Sequence, residues 1–257
     1  MFARRWKEQN YLLDKMGLRE LNRAYATYPG VWAYAILLVA SLIAGLALGP
    51  SLMGGALSVV AVVLLYPLFW YGLHRFVLHS QFLYRFQKTS ALWKRIHYDH
   101  HRRPNDLSVL FGSLANTLPT IGILCGVTGA LIAGWPGFFL AVATGLLMTM
   151  LYEYVHCIQH LGYLPDSARL QRMKRLHLLH HFHNENGNYG ITEFWPDRLL
   201  GSFYGEGAAK PLPRSATVRN LGYTSEVAKR YPWVEQLSGD GTDVPKGRPR
   251  PGAPLEA

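Results

Sequence analysis

Charge is scarce in this sequence and, over two long stretches, missing. Charged side chains make up 16% of the 257 residues, against 49% hydrophobic ones. No Asp, Glu, Lys or Arg occurs between Arg23 and Arg75 or between Asp106 and Glu153, gaps of 51 and 46 residues. A helix crossing the hydrocarbon core needs about 20 apolar residues, so each gap holds two crossings and a tight turn. Helices buried in a soluble protein would keep a polar face, and these stretches offer none. Cysteine is nearly absent as well. Cys125 and Cys157 are the only two, which argues against a disulfide framework and leaves both as small core residues. The start of the chain lacks the uninterrupted apolar run of a signal peptide. The basic residues, although they set a net charge of +10, do not gather into a groove-reading pattern, so nucleic acid is excluded as a partner.

The uncharged stretches predict spans near 31–49, 53–73, 113–134 and 137–158, with turns at Gly49-Pro50 and Trp135-Pro136. Of the 26 Lys and Arg residues, six precede residue 30, seven lie between 73 and 106, and thirteen follow residue 159. None falls in the two tight turns, so the positive-inside rule puts both termini and the central loop in the cytosol. The predicted fold is all-α: four transmembrane helices in two hairpins beneath a cytosolic, histidine-rich helical cap. Three regions follow. Residues 1–29 form a basic leader, in which residues 2–25 have the spacing of an interfacial helix. Residues 30–205 form the membrane domain. Residues 206–257 form a C-terminal segment, disordered from about 239, where Pro and Gly accumulate.

Against this apolar background stand eleven histidines, all between positions 74 and 183. Ten form four groups: His74 and His79; His97, His100 and His101; His156 and His160; His177, His180 and His181. Residues at i, i+3 and i+4 share a helix face, so each triplet points one way, as does the pair His156 and His160. His74 and His79 are five apart and diverge by about 140° on a regular helix, which predicts a helix end or distortion there. Neutral imidazole is a common transition-metal ligand, and ionisable groups at membrane level are costly unless they serve a site. Ten rings are too many for one ion and suit two ions of about four to six ligands each.

A carboxylate-bridged centre would need a Glu-x-x-His motif on each of two helices. Only Glu153-x-x-His156 is present, so the centre is dominated by histidine. Glu153 shares a face with His156 and His160 and is read as orienting an imidazole. Asp99 is read as solvated or paired with a Lys or Arg, and His183 as a supporting residue beside the ligands. Gly122 and Gly126 form a small-x-x-x-small pair suited to helix packing.

These histidine groups resemble those of the fatty acid hydroxylase superfamily, which includes fatty acid 2-hydroxylases, sterol desaturases and carotenoid hydroxylases. The resemblance covers roughly residues 70–205. The intervals between groups, together with His180-His181-Phe182 and Asn188-Tyr189-Gly190-Ile191-Thr192, are most similar to the fatty acid 2-hydroxylase branch. One departure is Pro196, which precedes Asp197-Arg198-Leu199 where members of the superfamily often carry Trp.

The resemblance implies two iron ions, with zinc able to replace them on purification, and dioxygen as co-substrate. It also implies electrons from an external donor, a b-type cytochrome or a ferredoxin with a reductase, because only 30 residues precede the first span. The expected reaction is hydroxylation of a membrane lipid's acyl chain, at the 2-position in that branch, with the headgroup near Asn186, Asn188, Tyr189 and Arg198. A sterol or carotenoid hydroxylase or desaturase is the alternative within the superfamily. Outside it, a metal transporter would line a path across the bilayer rather than one boundary. A zinc-dependent membrane hydrolase would need only three protein ligands, and the His-Glu-x-x-His motif is missing.

Overall fold

The computed structural model of the chain describes residues 11–205 and 212–238. Among these residues every extended regular element is a helix, as the all-α reading expects. The only β pairing among them is an isolated bridge between Leu12 and Asp106. After α1 (Leu18–Thr27), the uncharged stretches form three helical segments long and apolar enough to cross a membrane: α2 (Pro29–Ala47), α3 (Leu52–Leu78) and Leu114–His160.

The expected turn at Trp135-Pro136 lies slightly earlier in the structure. Helical bonding continues through this region, but the backbone leaves helical geometry at Ala133 and Gly134, where Gly134 has φ 61° and ψ −147°. That conformation is open essentially to glycine alone. The flanking residues then pack back on one another. A Cβ on Gly129 would stand 2.1 Å from the carbonyl oxygen of Gly137, Gly126 faces Phe138, and Gly145 faces Cys125 and Ile121. The two halves are therefore α5 (114–132) and α6 (135–160). The expected Gly122 and Gly126 packing pair is corrected in part. Only Gly126 meets a neighbour across this contact, and Gly122 has open space around it. Residues 122–126 form a π turn, whose i→i+5 bonding rotates residues four apart out of line.

Gly49, at φ 66°, turns the chain from α2 to α3, and Ser51 caps α3 by accepting a hydrogen bond from Gly54 N at 3.1 Å. Helix α6 is wedged against both helices through Leu140, which fills the space left by Gly45 of α2 and Gly55 of α3. The outward faces stay apolar and uncovered: Ile36, Ile43 and Leu46 on α2, Leu52 and Leu64 on α3, and Leu131 on α5. A continuous apolar surface of this kind is unfavourable in water and suits hydrocarbon, where each helix satisfies its own backbone.

The remaining helices form a cap at one end of this bundle. They are α4 (87–102), α7 (Ala168–Phe182), α8 (Trp195–Leu199), α9 (Ser225–Arg230) and α10 (Trp233–Ser238). Residues 212–238 lie against α4, with Tyr223, Ala228 and Val234 packed on Tyr84, Trp93 and Tyr98. Trp233 Nε1 fixes this contact by donating to Tyr84 O at 2.6 Å. Helix α1 packs elsewhere, burying Leu21 and Ala24 against Leu107, Phe111 and Ile158. Residues 1–10 of the expected interfacial segment and the expected disordered tail from 239 lie outside the described residues.

Candidate metal centre

Four helices bring the histidines together. The last turns of α3 are a π helix, Leu73–Leu78, in which His79 N donates to His74 O at 3.0 Å. This is the distortion the five-residue spacing requires. The i→i+5 bond puts His74 above His79 and brings their Nε2 atoms to 3.1 Å. Helix α6 presents His156 and His160 one turn apart, and α4 and α7 each present a triplet.

The ten rings close into two groups of five, each with ligand atoms within 4.8 Å of one another. The first holds His74, His79, His97, His101 and His180; the second holds His100, His156, His160, His177 and His181. Each triplet is therefore split. Its i, i+4 pair serves one group and its i+3 member reaches into the other, because on a helix i+3 and i+4 flank the first residue from opposite sides. Each group takes a pair from a long apolar helix, a pair from one cap helix and a single ring from the other cap helix. The two groups adjoin at His101 and His181, whose ring centroids are 4.2 Å apart.

The donor set fits metal ions. His79 Nε2 lies 2.8 Å from His97 Nε2, and His177 Nε2 lies 2.9 Å from both His156 Nε2 and His160 Nε2. Imidazole binds a metal at about 2.0–2.1 Å, so two such ligands at right angles would hold their nitrogens about 3 Å apart. A single N–H on His177 cannot serve two acceptors well, and both nitrogens of His100 and of His181 are buried without a hydrogen-bond partner among the described residues. Orphaned buried nitrogens of this number are costly unless they ligate an ion. Burial pulls the rings of His97, His101, His177, His180 and His181 well below the ordinary histidine range, and that of His100 to about 3. They are neutral at physiological pH, the form that ligates.

Backbone carbonyls set the orientation of three rings. His74 Nδ1 lies 2.5 Å from Tyr189 O, His180 Nδ1 lies 2.7 Å from Gly187 O, and His101 Nδ1 lies 3.2 Å from Val218 O. A carbonyl can only accept, so each Nδ1 carries the proton and each Nε2 offers its lone pair.

A cavity of about 410 Å³ opens beside the histidines, lined by His74 and His97 of the first group and by His100, His156, His177 and His181 of the second. The rest is largely apolar, with Trp70, Leu73 and Val77 of α3 and Leu92 and Ile96 of α4, while Asn116, Thr117 and Glu153 add polar atoms. Glu153 lines this cavity. Its Oε1 accepts from Gly112 N at 3.1 Å, and Oε2 has no partner among the described residues. Its helix face also meets the loop before α5, where Gly112 lies. His183 stands outside both groups, with Nε2 2.8 Å from Leu212 O and its ring against Tyr204. Asp99 pairs with Lys94 at 2.6 Å. The four residues expected near a headgroup do not line the cavity. Asn188 instead bonds to the backbone of Tyr204, and Arg198 lies 3.9 Å over the ring of Phe203. The carbonyls that accept from the rings escape a reading by side-chain type, since any residue carries a carbonyl.

The chain is similar to known proteins over this same region. The sequence profile of the fatty acid hydroxylase family matches residues 59–202. Among curated proteins, an Arabidopsis thaliana dihydroceramide fatty acyl 2-hydroxylase is 29% identical over 70% of the chain and 74% of its own length. A ceramide very long chain fatty acid hydroxylase from Saccharomyces cerevisiae is 30% identical over 57% of the chain, which spans 38% of that protein. A beta-carotene hydroxylase of Paracoccus is 26% identical over 49% of the chain. The solved structure of full-length Scs7p, with only its hydroxylase domain visible, superposes with a TM-score of 0.55 at 26% identity, covering 71% of this chain and 67% of that one.

Proposed function

Since the chain belongs to the fatty acid hydroxylase family, we propose that it hydroxylates the acyl chain of a membrane lipid, at the carbon next to the carbonyl, using two iron ions and dioxygen. The observation that carries this reading is the pairing of two five-histidine groups with an apolar cavity that reaches the rings. An acyl C–H bond has no acid, base or carbonyl handle of its own. Iron bound by the two groups would supply the oxygen and electron chemistry that no side chain provides.

The protein's part is placement. Trp70, Leu73, Val77, Leu92 and Ile96 exclude water and hold a hydrocarbon chain, while Asn116, Thr117 and Glu153 offer hydrogen bonds to the polar group beside the reacting carbon. Electrons come from a separate donor, a b-type cytochrome or a ferredoxin with its reductase. A comparison of total lipids from cells with and without the protein tests the reading. A lipid class gaining one oxygen atom on its acyl chain is the expected result. Loss of two hydrogens instead would indicate desaturation, and oxygen gained on a carotenoid would favour the second member activity, to which the Paracoccus relative points.

The same proposal includes four crossings, α2, α3, α5 and α6, with both termini and the metal centre in the cytosol. Its support is the break at Gly134 and the confinement of all Lys and Arg to one side of that arrangement. Tags at residues 1 and 257 are expected to report cytosol and a tag at Pro50 the opposite face; termini on different sides would rule out an even number of crossings.

Glu153 is assigned to the substrate rather than to the ions. Glu153→Gln keeps an acceptor for Gly112 N and leaves both histidine groups intact, so the variant is expected to retain its metal while turning over about 10–100-fold more slowly. Metal content and single-turnover yield check this together. Loss of an ion would make Glu153 a ligand, and wild-type turnover would make it a bystander.

A further inference from the structure

The two histidine groups are supported unequally. All three Nδ1 contacts to backbone carbonyls belong to the first group: His74 to Tyr189, His180 to Gly187 and His101 to Val218. In the second group, Nδ1 of His100, His160, His177 and His181 is buried and has no hydrogen-bond partner among the described residues. Among the described residues, no hydrogen bond at Nδ1 fixes the tautomer or orientation of these four rings.

Two of the three carbonyls come from one short loop, residues 187–190, and a single carboxylate holds that loop in shape. Asp197 is fully buried. Its Oδ1 accepts from Tyr189 N at 2.8 Å and from Ser202 Oγ at 2.7 Å, and its Oδ2 accepts from Gly190 N at 2.8 Å. Hydrogen bonds to an ionised acceptor are roughly twice as strong as neutral ones. Asn188 completes the clamp. It sits at φ 53°, and its amide bonds both N and O of Tyr204 at 3.0 Å. Close approach is enforced at Gly187, where a Cβ would lie 2.5 Å from Ser202 O, and at Gly190, where it would lie 2.2 Å from Glu193 O. A further link ties the clamp to the helix bearing His74, because Tyr71 OH meets Ser202 Oγ at 2.8 Å.

We infer that Asp197 is a positioning residue for the first metal site alone, and that the two sites consequently release their ions at different rates. Partners of this outer kind typically change metal affinity by about 10–100-fold. The inference rests on the two-ion reading above. Asp197 touches neither a ligand nor the cavity, so its effect must pass through the loop to His74 and His180.

The test uses full-length protein in detergent, loaded with iron or zinc and challenged with a chelator. His177→Ala, which dismantles the second site, is expected to keep one slowly released ion. His180→Ala, which dismantles the first, is expected to keep one ion released about 10-fold faster or more. Asp197→Asn, which turns an amide N–H toward the loop's own N–H groups, is expected to accelerate loss of one of two ions. Combined with His180→Ala it changes nothing further; combined with His177→Ala it makes the remaining ion leave about 10-fold faster or more. Ser202→Ala, a milder change, is expected to shift release in the same direction and keeps the test available where Asp197→Asn does not fold. Equal release from the two single-site variants, or wild-type release from both Asp197→Asn and Ser202→Ala, would overturn the inference while leaving two ions in place. A wild-type protein holding fewer than two ions would overturn the dinuclear reading itself, and this inference with it.

Discussion

Replacing His177 with alanine is expected to abolish turnover, with a loss well beyond the roughly 100-fold that marks the removal of an outer partner. His177 Nε2 sits 2.9 Å from two other ring nitrogens, so its removal takes away a direct donor and leaves His156 and His160 without their shared focus. His97→Ala is expected to act likewise on the other group, where its Nε2 lies 2.8 Å from that of His79. Each variant is expected to bind one ion fewer than the wild type. His183→Ala provides the contrast. Its ring bonds to Leu212 O away from both groups, so metal content and most of the activity are expected to survive. Measuring metal per chain and product per turnover for the three variants decides the matter. Full metal in His177→Ala, or metal loss in His183→Ala, would redraw the ligand set.

The second large effect is structural. Gly129→Val is expected to destabilise the protein by about 3 kcal/mol or more, the upper end of the cost of overpacking. A Cβ there would stand 2.1 Å from Gly137 O and 2.4 Å from the Cβ of Ala141. The nearest atom is backbone and cannot rotate away, so α5 must separate from α6, and α6 carries His156 and His160. Gly122→Ala, whose Cβ would meet nothing within 4 Å, is expected to fall within about 0.5 kcal/mol of the wild type. Thermal melting in detergent, read beside metal content, compares the two. A Gly129→Val protein as stable as the wild type would mean that the two helices are not in contact at this point.

The all-helical plan was legible because two charge-free stretches leave little else to build, and the clustering of ten histidines because they fall at helix-face spacing. The strain between His74 and His79 was legible too, since five residues do not return to one face of an α-helix. What the spacing did not carry was the division of labour. That His100 and His180 cross to the opposite groups depends on the two cap helices meeting at their histidine rings, a tertiary fact. The turn at Gly134 was displaced by two residues from the expected Pro136 because glycine's freedom at positive φ outweighed proline's punctuation. Glu153 shares a helix face with His156 and His160, but its hydrogen bond from Gly112 N depends on a loop brought in from 41 residues away, which helix spacing does not show. The support from Asp197 was hidden because it acts through backbone groups, which have no signature in side-chain type.

Oxygenation of a lipid by the histidine centre is tested most directly with purified, iron-loaded protein, a chemical reductant, a ceramide or fatty acyl lipid in detergent, and isotopically heavy dioxygen. The expected product carries one heavy oxygen as a hydroxyl on the carbon beside the acyl carbonyl, and His177→Ala yields none. A hydroxyl whose oxygen comes from water, or no hydroxylated lipid from protein holding both ions, would contradict it.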